Sequence, residues 1–375
     1  MGLFLHWGHA STRGWELSWQ MTGGVHLQDP PLEAVGCQEY FDNADAFRPS
    51  RFDPDDWADR AWRAGARYVV FTAKHHDGFA MYDTKLSDYS VAKTWGRDVT
   101  AEVVEAFRGR GFRIGLYFSV VDWHHEEYPR LTDDAIAKPY RVGVYRRGTP
   151  AQWERFRAFM VGQLDELLTS YGDLDIVWLD GEFEHTEEEW RYGELRELIR
   201  ERQPRALVND RCKGHGDFTT PLVEAASMGG NLLLNVGPTG EGEFPPQAVE
   251  RLEGLAGWME RHGESVHGTE PGLKLWQFHG PSTVRRLPDG GSRLCLHLTM
   301  RPYEQMTVRG LPVARVREVT LLGTGTALEW SVQARLKDIH AAAADPDGEL
   351  RVGIPGELLD DLCTVVAVDL WPEGR

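Results

Sequence analysis

The 375-residue chain carries 41 Lys and Arg against 58 Asp and Glu, a formal net charge of −17. That sign repels phosphate backbones and anionic lipid headgroups and argues against nucleic-acid or membrane partners. With 41% apolar and 26% charged residues, the make-up excludes disordered, collagen-like and coiled-coil architectures, and at roughly 150 residues per domain the length leads us to expect two to three domains.

In chain order, residues 2–8 (GLFLHWG) read as an apolar strand that begins directly after Met1. After a loop with Gly and Pro to about Pro31, helix, short turn and apolar strand alternate. Residues 53–65 read as a helix with Pro54 in the first turn and Gly65 at the end, the usual asymmetry of helix termini. RYVVFTA at 67–73 is a buried strand. Helices at 98–110 and 151–171 alternate with strands at 112–119 and 174–180. A helix at 187–203, short strands near Leu207 and at 232–236, and a helix at 246–262 follow. Near-continuous apolar strands alternating with helices predict an α/β fold with a parallel sheet covered by helices. The expectation is a (β/α)8-like barrel over residues 1–268, incomplete because six strands are legible where eight would close it.

Over residues 269–375 the texture changes to short segments, LKLWQF, RLCLHLT, VREVTLL and ELRVGIP, punctuated by turns such as PDGG at 288–291. These predict a C-terminal antiparallel β-sandwich. Cys37, Cys212, Cys295 and Cys363 lie far apart with no CxxC pair, against a zinc ribbon, a redox motif or a disulfide framework. No basic-then-apolar leader and no Asn-x-Ser/Thr acceptor is present, so a cytoplasmic location is expected. The abrupt start at Met1 is compatible with a shortened N-terminus and a secreted or periplasmic origin.

A parallel barrel builds its site from the C-terminal ends of strands, and polar clusters stand at those positions: HWGH after GLFL, KHHDGF after VVFTA, DWHH after GLYFS, DGEFEH after IVWL, and NDR after Leu207. A short carboxylate at a strand end, Asp180, suits nucleophilic attack on a sugar C1; capping the next helix or pairing with Arg211 is the alternative. His75 and His76 are consecutive, so in an extended chain only one of them faces the barrel axis unless the strand has ended. A core histidine bonded to backbone is the plain alternative for either. His6, His9, His124 and His125 add imidazoles, but there is no HExxH and no helical pair spacing, so a metal is not expected.

These blocks, HWG at 6–8, AGARYVVFTAKHHDGF at 64–79, GRDV at 96–99, GLYFSVVDW at 115–123, VWLDG at 177–181, NDR at 209–211 and GGNLLLNVGPTGEG at 229–242, resemble the signature of α-L-fucosidases, glycoside hydrolase family 29. The resemblance implies a barrel followed by a sandwich, and retaining hydrolysis of terminal α-linked L-fucose on glycans or glycoconjugates, without metal or organic cofactor. It implies Asp180 as nucleophile and His6, Glu16, His75, His76 and Tyr117 as residues that bind the sugar hydroxyls. Trp178 would stand beside the nucleophile and Arg211 close to the catalytic carboxylates. GWELSW around Glu16 matches one subgroup of the family only. A homo-oligomer is a further expectation.

One departure bears on the chemistry. The family's glutamate after NDR, in many members the general acid/base, falls here at Leu222, and several tens of residues, with a strand and a helix, are missing between NDR and GGNLLLN. Retaining hydrolysis needs a second carboxyl about 5–5.5 Å from the nucleophile, and its loss costs on the order of 10²–10⁴-fold in rate. Glu182, Glu184, Asp217 and Glu224 are the replacements at hand, with Glu184 first because it follows the nucleophile in the same loop. A catalytically impaired, lectin-like fucose binder is the rival expectation.

Overall fold

The computed structural model describes residues 1–24, 32–128, 148–209, 222–299, 305–334 and 347–373. Strands β1 (Gly2–Leu5), β2 (Tyr68–Lys74), β3 (Arg113–Ser119), β4 (Ile176–Asp180), β5 (Leu207–Val208) and β6 (Leu233–Val236) form one sheet. It runs in the order β5-β4-β3-β2-β1-β6, and every pairing is parallel. All six stand where the apolar runs place them. Among the described residues no strand joins β5 to β6, so the sheet follows the course of a barrel without closing it.

Side chains alternate across a strand, and here the alternation divides the sheet into two cores. Leu3 and Leu5, Val69 and Phe71, Ile114 and Leu116, and Val177 and Leu179 pack outward into the large helix-covered core. Phe4, Val70 and Tyr117 form a separate inner cluster with Tyr68, Ile176, Trp178 and Leu233. Gly2 makes room for this inner layer: a Cβ there would lie 2.2 Å from the Tyr68 ring. The same period carries the inner face up β1 to His6, up β3 to Ser119, up β4 to Asp180 and up β6 to Asn235.

The covering helices start on side-chain caps. Asp53 accepts the N–H groups of Asp55 and Asp56 ahead of helix Pro54–Arg63, and Asp98 accepts that of Ala101 ahead of Val99–Gly109. Thr149 and Gln152 form a reciprocal capping box on Pro150–Ser170. The expected single helix at 187–203 is two, Glu187–Trp190 and Tyr192–Arg202, broken at Arg191 with φ 52°. Trp190 and Tyr192 are both buried. Two residues apart on a continuous helix, they would point to different faces, and the break lets both reach the core.

Among the described residues the C-terminal region holds eight short strands: β7 (Glu270–Pro271), β8 (Ser282–Arg286), β9 (Ser292–Leu298), β10 (Gln305–Pro312), β11 (Val316–Leu321), β12 (Trp330–Ala334), β13 (Asp347–Gly353) and β14 (Thr364–Leu370). They build two antiparallel sheets, β10-β13-β12 and β11-β14-β9-β8-β7, around a core of their own. LKLWQF, expected as a strand, is instead a turn in which the Gln277 and Phe278 N–H groups both donate to the Lys274 carbonyl. Its apolar residues do not alternate into the core, and Leu275 and Trp276 are exposed. The barrel's last helix, Pro246–His262, meets the sandwich through Trp258 and Met259 against Cys295, Cys363 and Val365, and the Trp258 indole donates to the Cys363 carbonyl at 2.8 Å.

Trp57 fastens the helix after the first loop to the segment beyond β6. Its indole donates to the Gly242 carbonyl at 3.0 Å and stacks on Phe244 at 5.3 Å. Trp57→Ala is expected to lower stability by about 3–5 kcal/mol, read as a fall in the calorimetric melting temperature; an unchanged melting temperature would show that this joint carries no weight.

Candidate active site

Asp180 is the last residue of β4 and is half-buried at the mouth of the sheet. The Tyr117 hydroxyl, from the inner face of β3, donates to Asp180 Oδ2 at 2.8 Å, and the Gly181 N–H donates to Oδ1 at 2.9 Å. Gly181 turns the chain at φ 99°, and a Cβ there would sit 2.6 Å from Val121. The strand therefore stops at the carboxylate, which accepts from the Tyr117 hydroxyl and the Gly181 N–H.

β2 ends at Lys74, so His75 and His76 both lie beyond it, and both reach the site. The His75 ring stacks on Tyr117 at 5.6 Å with an interplanar angle of 11°, and Nδ1 lies 2.6 Å from Ser18 Oγ. His76 Nδ1 lies 2.7 Å from Ser119 Oγ. His6 donates from Nδ1 to Asn235 Oδ1 at 2.8 Å and meets His75 and Tyr117 edge-on. Trp178 packs against Phe4 on the inner face.

Asp180, Tyr117, His75, His6 and Trp178 are thus linked through shared contacts, with His76 beside His75 at 4.2 Å between ring centres. Glu16 is exposed at the start of the turn that carries Ser18 and Trp19, and its own N–H donates to Gln20. Arg211 and Asp217 lie outside the described residues, as does the side chain of Glu224.

Glu184 does not stand open at the mouth. It is 1% exposed, and the Trp123 indole donates to both of its oxygens at 3.1 and 3.3 Å. The Tyr128 hydroxyl donates to Oε2 as well. The 3-10 turn Glu182–Glu184 rotates this side chain into the wall, while Glu182 is half-buried. Adjacency along the chain does not reveal which way a three-residue turn points its side chains.

Several wall residues were not singled out on the sequence. Trp19 meets His76 edge-on at 4.9 Å and Trp123 at 5.8 Å, and Phe183 meets His76 at 5.5 Å. Asn209 extends the short edge strand by pairing its side-chain amide with the backbone of Leu179, N–H to Oδ1 and Nδ2 to carbonyl, both at 2.9 Å. The period-2 pattern of β6 was the signal that could have found Asn235.

Buried ionisable groups brace the histidine loop from behind. Lys74 Nζ donates to Gln163 Oε1 at 2.9 Å and pairs with Asp122 at 3.4 Å, over the Phe118 ring at 4.4 Å. Burial lowers the Lys74 pKa, with Asp122 opposing. Asp77 accepts from the Tyr40 hydroxyl at 2.8 Å and from the Phe79 N–H at 3.0 Å, yet burial raises its carboxyl from 3.8 to about 6. Beside it, burial and the neighbouring His124 lower His9 from 6.5 to about 3. Among the described residues no three His, Cys, Asp or Glu side chains converge to hold a metal ion.

An ionisable carboxylate fixed at a parallel-barrel strand end, inside a wall of aromatic rings and imidazoles, belongs to enzymes that cleave glycosidic bonds. This chain belongs to the α-L-fucosidase family of glycoside hydrolases: the Alpha-L-fucosidase family model matches residues 1–221 and, in a second stretch, 215–264.

The solved α-L-fucosidase isoenzyme 1 from Paenibacillus thiaminolyticus is 29% identical, with a TM-score of 0.80 over 99% of this chain and 96% of that one. Human tissue α-L-fucosidase is 26% identical over 94% of this chain and 83% of its own length. A Bacteroides thetaiotaomicron family 29 fucosidase, solved as a trapped covalent intermediate with 2-fluoro-fucosyl fluoride, shares the fold at 23% identity and a TM-score of 0.75 over 99% of this chain and 94% of that one.

Two outcomes follow. Tyr117→Phe keeps the ring but removes a hydrogen bond to a charged group, worth about 1.5–3 kcal/mol. It is expected to cut kcat/KM on an aryl α-L-fucoside by roughly ten- to a hundredfold, in steady-state assays where a wild-type value would dismiss the contact. The second concerns pH. Between 3.8 and about 6 native Asp77 holds a proton that the unfolded chain does not, so its contribution to stability falls as pH rises. His9 acts oppositely: between about 3 and 6.5 only the unfolded chain is protonated there, so stability rises with pH. Asp77→Asn leaves the His9 contribution unopposed, and urea unfolding from pH about 4 to 6 should show stability climbing more steeply than in the wild type, by about 3 kcal/mol. Parallel curves would mean Asp77 is ionised throughout.

Proposed function

We propose that this chain hydrolyses terminal α-linked L-fucose with retention of configuration, using Asp180 as the nucleophile. The observation that carries this reading is the half-buried Asp180 carboxylate at the end of β4, with Tyr117 at 2.8 Å on Oδ2 and Gly181 at 2.9 Å on Oδ1. In the first step a carboxylate oxygen bonds to C1 of the sugar while the bond to the leaving oxygen breaks, and that oxygen takes up a proton. In the second, a water oxygen bonds to C1 and gives up a proton to solvent while the bond from C1 to the carboxylate breaks, so the configuration is inverted twice. The covalent intermediate captured on the Bacteroides relative supports the same course here. His6, His75, His76 and Tyr117 hold the sugar hydroxyls in this reading, with Trp178 and the other rings supplying an apolar wall, and fucosylated glycans or glycoconjugates are the substrates.

Protonation of the leaving oxygen is the weaker half of the machinery. Glu184 is enclosed by Trp123 and Tyr128, out of reach of a leaving group that enters from solvent, which suits a residue that shapes the wall. Natural glycosides, whose leaving oxygens need a proton, are then poor substrates beside aryl fucosides. This same feature favours the second reading, a fucose-binding relative without turnover.

Comparing an aryl α-L-fucoside with a natural fucosyl oligosaccharide separates the two. Phenol release with little cleavage of the natural linkage supports the enzyme, whereas binding of fucose with no turnover of either substrate establishes the lectin. Asp180→Gly is expected to lower aryl-fucoside turnover by at least about 10³-fold, with added azide restoring part of it as a glycosyl azide. Normal activity in that variant would remove Asp180 from the mechanism.

A further inference from the structure

We propose that Ser18 and Ser119 set opposite tautomers on the adjacent histidines, so that His75 presents an Nε2–H donor and His76 an Nε2 acceptor. The assignment follows from where each buried serine's single proton goes. Ser18 Oγ already accepts the Asp77 N–H at 2.7 Å and lies 2.6 Å from His75 Nδ1. Ser18 is fully buried, and a buried hydroxyl proton without an acceptor is costly. Among the described residues its acceptor is His75 Nδ1. That nitrogen is therefore bare, and in the neutral ring the proton sits on Nε2.

Ser119 differs. Its hydroxyl donates to the Val121 carbonyl at 2.9 Å and accepts the Val121 N–H at 3.1 Å. Giving its proton to His76 instead would strip the buried Val121 carbonyl of the donor it has among the described residues. The third bond of Ser119, at 2.7 Å to His76 Nδ1, is thus one in which the imidazole donates. His76 carries its proton on Nδ1, and its Nε2 is left as an acceptor.

The two rings are 4.2 Å apart and tilted by 46°, so a donor and an acceptor stand side by side. A sugar hydroxyl has one proton and two lone pairs. A hydroxyl facing His75 is read as an acceptor, which sets the direction of the hydrogen-bond chain through neighbouring hydroxyls, while the His76 Nε2 acceptor is buried. This last consequence rests on the fucosidase reading above; the tautomers themselves do not. Ser18 and Ser119 are positioning residues, acting on substrate through the histidines.

The test is a two-bond ¹H–¹⁵N correlation spectrum of the full chain labelled with ¹⁵N-histidine, at pH about 7.5, where an unperturbed imidazole is neutral. His75→Gln and His76→Gln serve only to assign the signals. The expected result is an Nε2-protonated His75 and an Nδ1-protonated His76; the same tautomer on both, or the reverse pair, overturns the proposal, and this holds on the wild type even if a serine variant fails to fold. Ser18→Ala should shift the His75 signals toward mixed tautomers and raise KM for an aryl fucoside about tenfold with a smaller change in kcat, while Ser18→Thr restores both. A His75 pattern unmoved by Ser18→Ala also overturns the role of Ser18. Should the spectra come out as expected while KM stays constant, the tautomer assignment stands and the sugar-binding role of His75 falls.

Discussion

The site depends on a single geometric constraint, the two-residue pleat of short parallel strands. Because β1, β3, β4 and β6 are in register and alternate strictly, the residues inward of the sheet fall into one stack: Phe4 and His6, Tyr117 and Ser119, Trp178 and Asp180, Leu233 and Asn235. Phe4, Trp178 and Leu233 are apolar and fill the interior; His6, Ser119, Asp180 and Asn235 are polar and stand toward the mouth, where the Tyr117 hydroxyl joins them. A slip of one residue in any of these strands would carry its polar tip into the helix-covered core. The Tyr117 to Asp180 hydrogen bond is the visible product of this register, with Ser119 opposite Asp180 in the ladder and Tyr117 opposite Trp178.

Around that stack the fold uses ionisable groups as struts and keeps them out of solvent. Lys74, Asp122, Asp77 and His9 are all nearly inaccessible, and each has named partners that tie the loop after β2 to the loops after β1 and β3. Breaking a buried pair by removing one partner leaves the other uncompensated, so the cluster acts as a rigid bracket for the two histidines. Glu184, tied to Trp123 and Tyr128, belongs to the same style of construction.

Much of this was legible in the residues alone, for physical reasons that can be named. The six strands announce themselves as short apolar runs ending in polar clusters, and the helix that starts at Pro54 by the proline in its first turn. What escaped the reading was set by tertiary context. Arg191 breaks a helix so that Trp190 and Tyr192 are both buried, and LKLWQF has strand-like composition but turns back on Lys274. Ser18 and Trp19 lie in a 3-10 turn with no periodicity to flag them. Glu184 sits where chain order places it, but the turn faces it inward.

Among the described residues the sheet does not close, and this has a consequence in hydrogen-bond accounting. Two neighbours that would sit side by side in a closed cylinder each keep a free rim of amides and carbonyls among the described residues, and such rims recruit other strands. Here the rims are brief: β5 has two residues and β6 four. Asn209 continues the first of them with its backbone N–H on the Val177 carbonyl and lends its side-chain amide to Leu179. Brevity is itself a safeguard, since a template of two to four residues offers an incoming strand too few bonds to hold it.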